Sequence, residues 1–153
     1  MDVSRPTARE SAGARSRAAT RERLIESARA LFAEKGLRGV TTHDIARRAG
    51  VAAGTFYLHF SDKRTLFREI TEESVAVLRE GLEKSVASAR DLPSFVRAHA
   101  TALIEFAESH RDLVRILFSA DSDAAAVSAD VLDELATSIA ALLRRMSERC
   151  ARF

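Results

Sequence analysis

An all-α fold is predicted here, with an N-terminal three-helix domain containing a helix-turn-helix and a C-terminal helical region behind it. Only two prolines and six glycines interrupt 153 residues, so long helical runs meet few breakers. Alanine, leucine, arginine and glutamate dominate the composition, and all four are good helix formers. Apolar residues recur every three or four positions along most of the chain, and no segment alternates at the two-residue period of a strand.

Residues 1–19 mix Ser, Ala, Gly and Arg without a period and read as a flexible basic tail. The first helix is expected from about Thr20 to Lys35, with Leu24, Ile25, Ala28, Leu31 and Phe32 on one stripe and Gly36 as its stop. A second helix opens at Thr41, a capping hydroxyl with Asp44 three residues on, and ends at Gly50. A third, short helix covers about Ala52 to Phe60.

Ser61 or Asp62 caps a fourth, long helix to about Ala89, with Leu66, Phe67, Ile70, Val77, Leu78 and Leu82 inward. Asp91 and Pro93 start a fifth, about Leu92 to Glu108, with Phe95, His99, Ala102, Leu103 and Phe106 on one face. A sixth runs from about Arg111 to Ser119. The seventh runs from about Ala124 towards the end, with Leu132, Leu135, Ile139, Leu142 and Met146 as a short pairing seam. The domain boundary is placed near Arg68, giving 20–68 as the first domain and 69–153 as the second.

Charge is unevenly spread. Up to Arg68 there are fourteen Lys and Arg against seven Asp and Glu; from Glu69 on there are ten against fifteen. A basic half joined to an acidic half directs the basic half at a polyanion. Cys150 is the single cysteine, which excludes an internal disulfide and leaves no thiol pair for zinc. Neither a secretory leader nor a membrane span is expected, and a cytoplasmic location follows as an expectation. No cofactor, metal site or enzyme activity is expected: there is no phosphate loop, nucleophile elbow or tight His/Asp/Glu cluster. Glu72 with Glu73, and Asp121 with Asp123, read as solvated surface and turn residues.

Two short helices around the turn Ala49-Gly50-Val51 have the spacing of a helix-turn-helix, whose second helix enters the major groove of DNA. The residues are more specific than the spacing. The run from Thr20 to Phe67 contains ALFAEKG, a T-x-x-D-I-A over Thr41 to Ala46, the AGV turn, and GTFYLHF followed by Lys63. Over these fifty or so residues the chain resembles the tetracycline-repressor (TetR) family of transcriptional regulators.

The resemblance implies a set of DNA contacts. Thr41 and Thr42 open the second helix, where hydroxyls can meet a phosphate, and His43 stands where family members reach the groove. Ala52, Ala53, Gly54 and Thr55 occupy the exposed first turn of the reading helix, where base edges are met. Tyr57 and His59 match positions that contact phosphate or a thymine methyl, and Lys63 matches a phosphate clamp. Each has a plainer reading: Thr41 only caps, Tyr57 and His59 finish a surface, Lys63 is a solvated charge. Ile45, Ala46, Val51, Phe56 and Phe60 are expected in the core. Alanines at 52 and 53, where relatives often carry polar side chains, shift the burden of specificity to His43, Tyr57 and DNA shape.

For the second half the resemblance implies a ligand pocket and a dimer interface. Pocket candidates are Phe95, His99, Leu103, Phe106, Leu117 and Phe118, although an aromatic stripe at helical spacing is more often core. The partners implied are double-stranded operator DNA, a second copy of the chain and a small-molecule inducer, with no membrane. Two functions stay open: a ligand-responsive repressor on a palindromic operator, and a truncated family member acting as an interaction protein or weak nonspecific DNA binder.

Overall fold

A computed structural model describes residues 8–117 and 122–150. Seven helices follow in order: α1 (Ala8–Lys35), α2 (Thr42–Arg48), α3 (Ala53–Tyr57), α4 (Lys63–Ser88), α5 (Leu92–Ser109), α6 (Arg111–Leu117) and α7 (Ser122–Cys150). No strand occurs among the described residues, so the all-α expectation holds.

Helix starts follow side-chain chemistry. Thr41 and Asp44 form a reciprocal capping box at α2. Asp62 caps α4 by accepting the Thr65 N–H, and Asp91 caps α5 in a second box with Ser94, with proline in the first turn. Gly36 and Gly50, the two described residues with positive φ (71° and 67°), end α1 and turn the chain between α2 and α3.

Residues 8–19 correct the sequence expectation. They continue α1 instead of forming a tail, while residues 1–7 lie outside the described residues. Their alanines and arginines are strong helix formers, but residues 12–19 are exposed or nearly so, and hydrophobic periodicity is silent about a helix that buries no face.

Two apolar cores form. The first gathers Leu24, Phe32, Ile45, Phe56, Phe60 and Phe67 from α1 to α4, together with Leu113 and Ile116 of α6 and Ala124 and Val127 of α7. The second joins Leu78, Leu82 and Val86 of α4 to Phe95 of α5 and Leu142 and Met146 of α7. Half-buried Phe106 packs against both. The expected boundary at Arg68 thus falls inside an unbroken α4, and the cores divide further along it, between Ile70 and Leu78.

One side chain expected inward is not. Val77 is 53% exposed, because the buried face of α4 runs through Ser74, Val75, Leu78 and Leu82 and leaves it on the open side. Leu103 and Leu132 are 42% and 37% exposed. Both α5 and α7 pack chiefly on α4. Buried hydroxyls on the long helices are satisfied locally: Thr71, Ser74 and Ser128 each donate to the carbonyl one turn back.

Candidate nucleic-acid interface

The helix-turn-helix is braced from inside. Ile45, Ala46, Phe56 and Phe60 are buried in the first core, and Val51 packs against it. The Phe56 ring meets Tyr57 edge-on at 5.4 Å, holding the tyrosine outward at 60% exposure. Arg23 of α1 reaches across to donate to the carbonyls of Ala49 and Gly50, tying the turn to the scaffold. Nothing in the local pattern of the turn points to Arg23. It sits on a polar position of α1, and only folding brings it to a carbonyl 26 residues away.

Thr41 and Thr42 take different roles. The Thr41 hydroxyl accepts the Asp44 N–H at 3.1 Å and donates to Asp44 Oδ2 at 2.6 Å, so its proton is spent on the cap. The hydroxyl hydrogen bond and the Thr41 N–H lower the Asp44 pKa, and Arg47 adds to this. Thr42 Oγ1 instead lies 3.0 Å from the Tyr57 hydroxyl, linking α2 to α3 at the surface. Two hydroxyls share two protons; one bridges them and the other remains for an outside acceptor.

Around this pair, His43, Ala52, Ala53 and Gly54 are exposed, and Thr55 and His59 are half-buried. A Cβ added at Gly54 would meet nothing within 4 Å. Ala52 caps α3 without a side-chain hydrogen bond. The structure therefore brings nine of the ten expected contacts to one neighbourhood of α2 and α3. Lys63 is the exception. Its Nζ donates to the carbonyls of Leu37 and Val40, both at 2.8 Å, with Arg38 O at 3.4 Å. The ammonium is engaged in closing the loop between α1 and α2, a bracing position that the phosphate-clamp expectation did not foresee. A residue that was not expected joins the surface: Leu58, at the C-cap of α3, is 80% exposed. The signal for it was the core pair Phe56 and Phe60, which turns the residue between them outward.

Electrostatics are less lopsided than the sequence implies. Arg21 and Arg29 pair with Glu69 and Glu73, Arg38 and Arg64 reach Asp123 (3.7 and 3.3 Å), and Arg68 reaches Asp130 at 3.6 Å. Much of the basic excess of the first half is thus matched by acidic groups of the second.

Comparison with known proteins identifies this arrangement. Residues 24–70 match the profile of "Bacterial regulatory proteins, tetR family". The chain is similar to the "HTH-type transcriptional repressor KstR2" of Rhodococcus jostii, 34% identical over 96 residues, covering 63% of this chain and 47% of that protein. The structure resembles the crystal structure of "Probable transcriptional regulatory protein RHA5900" at 30% identity and a TM-score of 0.71, covering 86% of this chain and 71% of that one. The chain belongs to the TetR family. It also resembles the "ketosteroid transcriptional regulator KstR2" of Mycobacterium tuberculosis, at 27% identity and a TM-score of 0.63, over 74% of this chain and 61% of that one. The chain spans about half the length of the curated relatives it matches.

The residues expected to line a pocket in this TetR-family chain are divided. Phe95 and His99 are buried with their rings 4.6 Å apart, Phe106 is half-buried, and Leu103 faces outward. Leu117 packs with the first core instead, and Phe118 lies outside the described residues. A cavity of about 230 Å³ between α4 and α5 takes in Phe106, lined otherwise by Val77, Leu78, Gly81, Ala102, Glu105 and the Ser109–His110 corner. Among the described residues no group of His, Cys, Asp and Glu could hold a metal ion. No helix of the described chain is long and apolar enough to cross a membrane; the Cys150 side chain lies outside the described residues.

Proposed function

We propose that this chain is a transcriptional repressor that reads a palindromic operator as a homodimer and lets go when a small apolar molecule binds its second core. The observation that carries the DNA reading is the Thr42–Tyr57 hydroxyl pair, exposed at the junction of α2 and α3 with a proton left for a phosphate oxygen. Beside it, Ala52, Ala53 and Gly54 present only methyls and backbone, which suits close approach to the groove and contact with thymine methyls. His43 and Leu58 flank this row.

Ligand response is supported by packing. Leu113 and Ile116 of α6 share a core with α1, and Phe106 of α5 touches both cores, so a shift of α5 or α6 is felt by the DNA-binding helices. The similar protein from Rhodococcus is named a repressor, and its Mycobacterium counterpart a ketosteroid regulator. The apolar side chains of the second core, Phe95 among them, match an apolar effector in character.

Selection from a random pool of DNA duplexes by the purified chain, at near-physiological salt, tests this directly. An enriched inverted repeat is the expected result. A lone half-site would sink the homodimer reading, and no enrichment would sink sequence-specific reading altogether.

A further inference from the structure

Most of the seam expected on α7 is spent inside the chain. Leu142 and Met146 are buried in the second core, and Leu135 and Ile139 pack against it. A second apolar row runs beside it on the open side of the helix: Ala125, Ala129, Leu132, Ala136, Ile139 and Leu143. Its spacing is 4, 3, 4, 3 and 4, the heptad period of a helix pair. Ile139 is half-buried, Leu132 and Leu143 are 37% and 49% exposed, and the three alanines are exposed. An exposed helix face is ordinarily polar, yet Ala126, Asp133 and Ala140 on the open flank of the row add only one charge.

Two properties of the row select its partner. The first is shape: large and small residues alternate so that the row complements itself when reversed. A two-fold axis level with Glu134 sets Ala125 against Leu143, Ala129 against Ile139 and Leu132 against Ala136 of a second copy, each pair equally far from residue 134. Every leucine or isoleucine then meets an alanine, and bulk is matched by space at each level. In a parallel pair each residue would face itself, leucine on leucine and alanine on alanine.

The second property is charge. Residues 122–136 carry Asp123, Asp130, Asp133 and Glu134 and no base, while residues 137–150 carry Arg144, Arg145 and Arg149 against Glu148. A parallel mate sets acid beside acid. A reversed mate sets the acidic half beside the basic half and opposes the two helix dipoles. Asp130 and Glu134 already reach Arg68 and Arg79, so charge orients the pair and the apolar row holds it.

We propose that two copies of this chain pair through α7, antiparallel about a two-fold axis at Glu134, and that the pair bridges two DNA duplexes. Bridging follows from where α7 starts and ends. Ala124 and Val127 lie in the first core with the helix-turn-helix, and Leu142 and Met146 lie in the second. A reversed mate therefore carries its helix-turn-helix at the opposite end of the paired helices, where the two cannot share one operator. The contact is separate from the operator homodimer proposed above and links molecules bound at two places on DNA. Only the bridging step rests on the DNA-binding reading.

Cysteine pairing tests the contact without DNA. In a Cys150→Ser background, a mixture of Ala125→Cys and Leu143→Cys copies is expected to give a disulfide heterodimer under mild oxidation. Neither variant should link to itself, because like positions lie about 27 Å apart along a reversed pair. Self-linked dimers of either variant, or a mixture that stays unlinked, would overturn the proposal. Ala136→Arg, a change at an exposed position, should abolish the cross-link while the melting temperature holds; a cross-link that survives it removes the row from the contact.

Bridging is read with random-sequence duplexes at low salt, one on beads and one fluorescent. The native chain should retain the fluorescent duplex on the beads. Ala136→Arg should cut that retention about tenfold, by burying an unpaired charge, with binding to the bead duplex unchanged. Equal retention by the two proteins would overturn bridging. A chain that binds no duplex would overturn bridging together with the DNA reading above, while the cross-link still decides the α7 pair.

Discussion

Tyr57 and Thr42 touch hydroxyl to hydroxyl at 3.0 Å, across the junction of the two helices of the helix-turn-helix. The contact joins residues from different helices at one exposed point, while their backbones are held by the buried Phe56 and Ile45. Removing the phenolic oxygen should therefore leave the scaffold intact. Tyr57→Phe is expected to weaken operator binding about tenfold, the scale of one hydrogen bond to a charged group, with the melting temperature held. Fluorescence anisotropy and thermal melts check this together; unchanged affinity would take the pair out of the interface.

Lys63 offers a sharper choice. An ammonium shared among the Leu37, Val40 and Arg38 carbonyls is a structural tie, whereas a phosphate clamp releases a counterion on binding. Lys63→Met should cost about 1 kcal/mol of stability by removing the hydrogen bonds to the part-buried Leu37 and Val40 carbonyls. The slope of log affinity against log salt should stay the same. A slope shallower by about one unit would restore the phosphate role.

Gly54 separates folding from binding. With open space where a Cβ would stand and no positive φ, Gly54→Ala should stabilise the chain by about 0.4–1 kcal/mol through the unfolded state. In the complex the added methyl would stand between backbone and groove. Weaker operator binding by a more stable protein is the expected outcome, and undiminished affinity would place the groove elsewhere.

Acid should act on this protein in two stages. The folded pKa of His99 lies below its ordinary value of about 6.5, because burial disfavours the charged ring. As pH falls through that ordinary value the unfolded chain takes up a proton that the folded chain refuses, so stability declines below it. Asp44, Asp62 and Asp91 are lowered mainly by hydrogen bonds at their caps, from Thr41, Thr65 and Ser94. Their stabilisation persists above the ordinary carboxylate range and is lost as pH falls through it. Denaturant melts across pH should show the first decline vanish in His99→Gln and the second remain; a first decline that persists in the variant would assign it to another group.

The helix-turn-helix was legible because its information is local. Thr41 and Asp44 announce a cap, Gly50 a turn, and Phe56 and Phe60 a buried face, each from side chains within four residues. Helix order and number were legible for the same reason, since a 3.6-residue period and its breakers are written along the chain. The helical character of residues 8–19 was not, because a helix that buries nothing leaves no period to read.

What the sequence determined by itself was an all-helical TetR-family chain and the position of its helix-turn-helix. Only tertiary structure decided which of those residues are free to act. It committed Lys63 to carbonyls and brought Arg23 to the turn. It also paired the arginines of one half with the carboxylates of the other, leaving less bare charge than counting implies. The reason is physical. A propensity or a period belongs to neighbours in sequence, but a hydrogen bond from Lys63 to Val40 or a buried, unpaired Nε2 on His99 exists only once distant segments share a core.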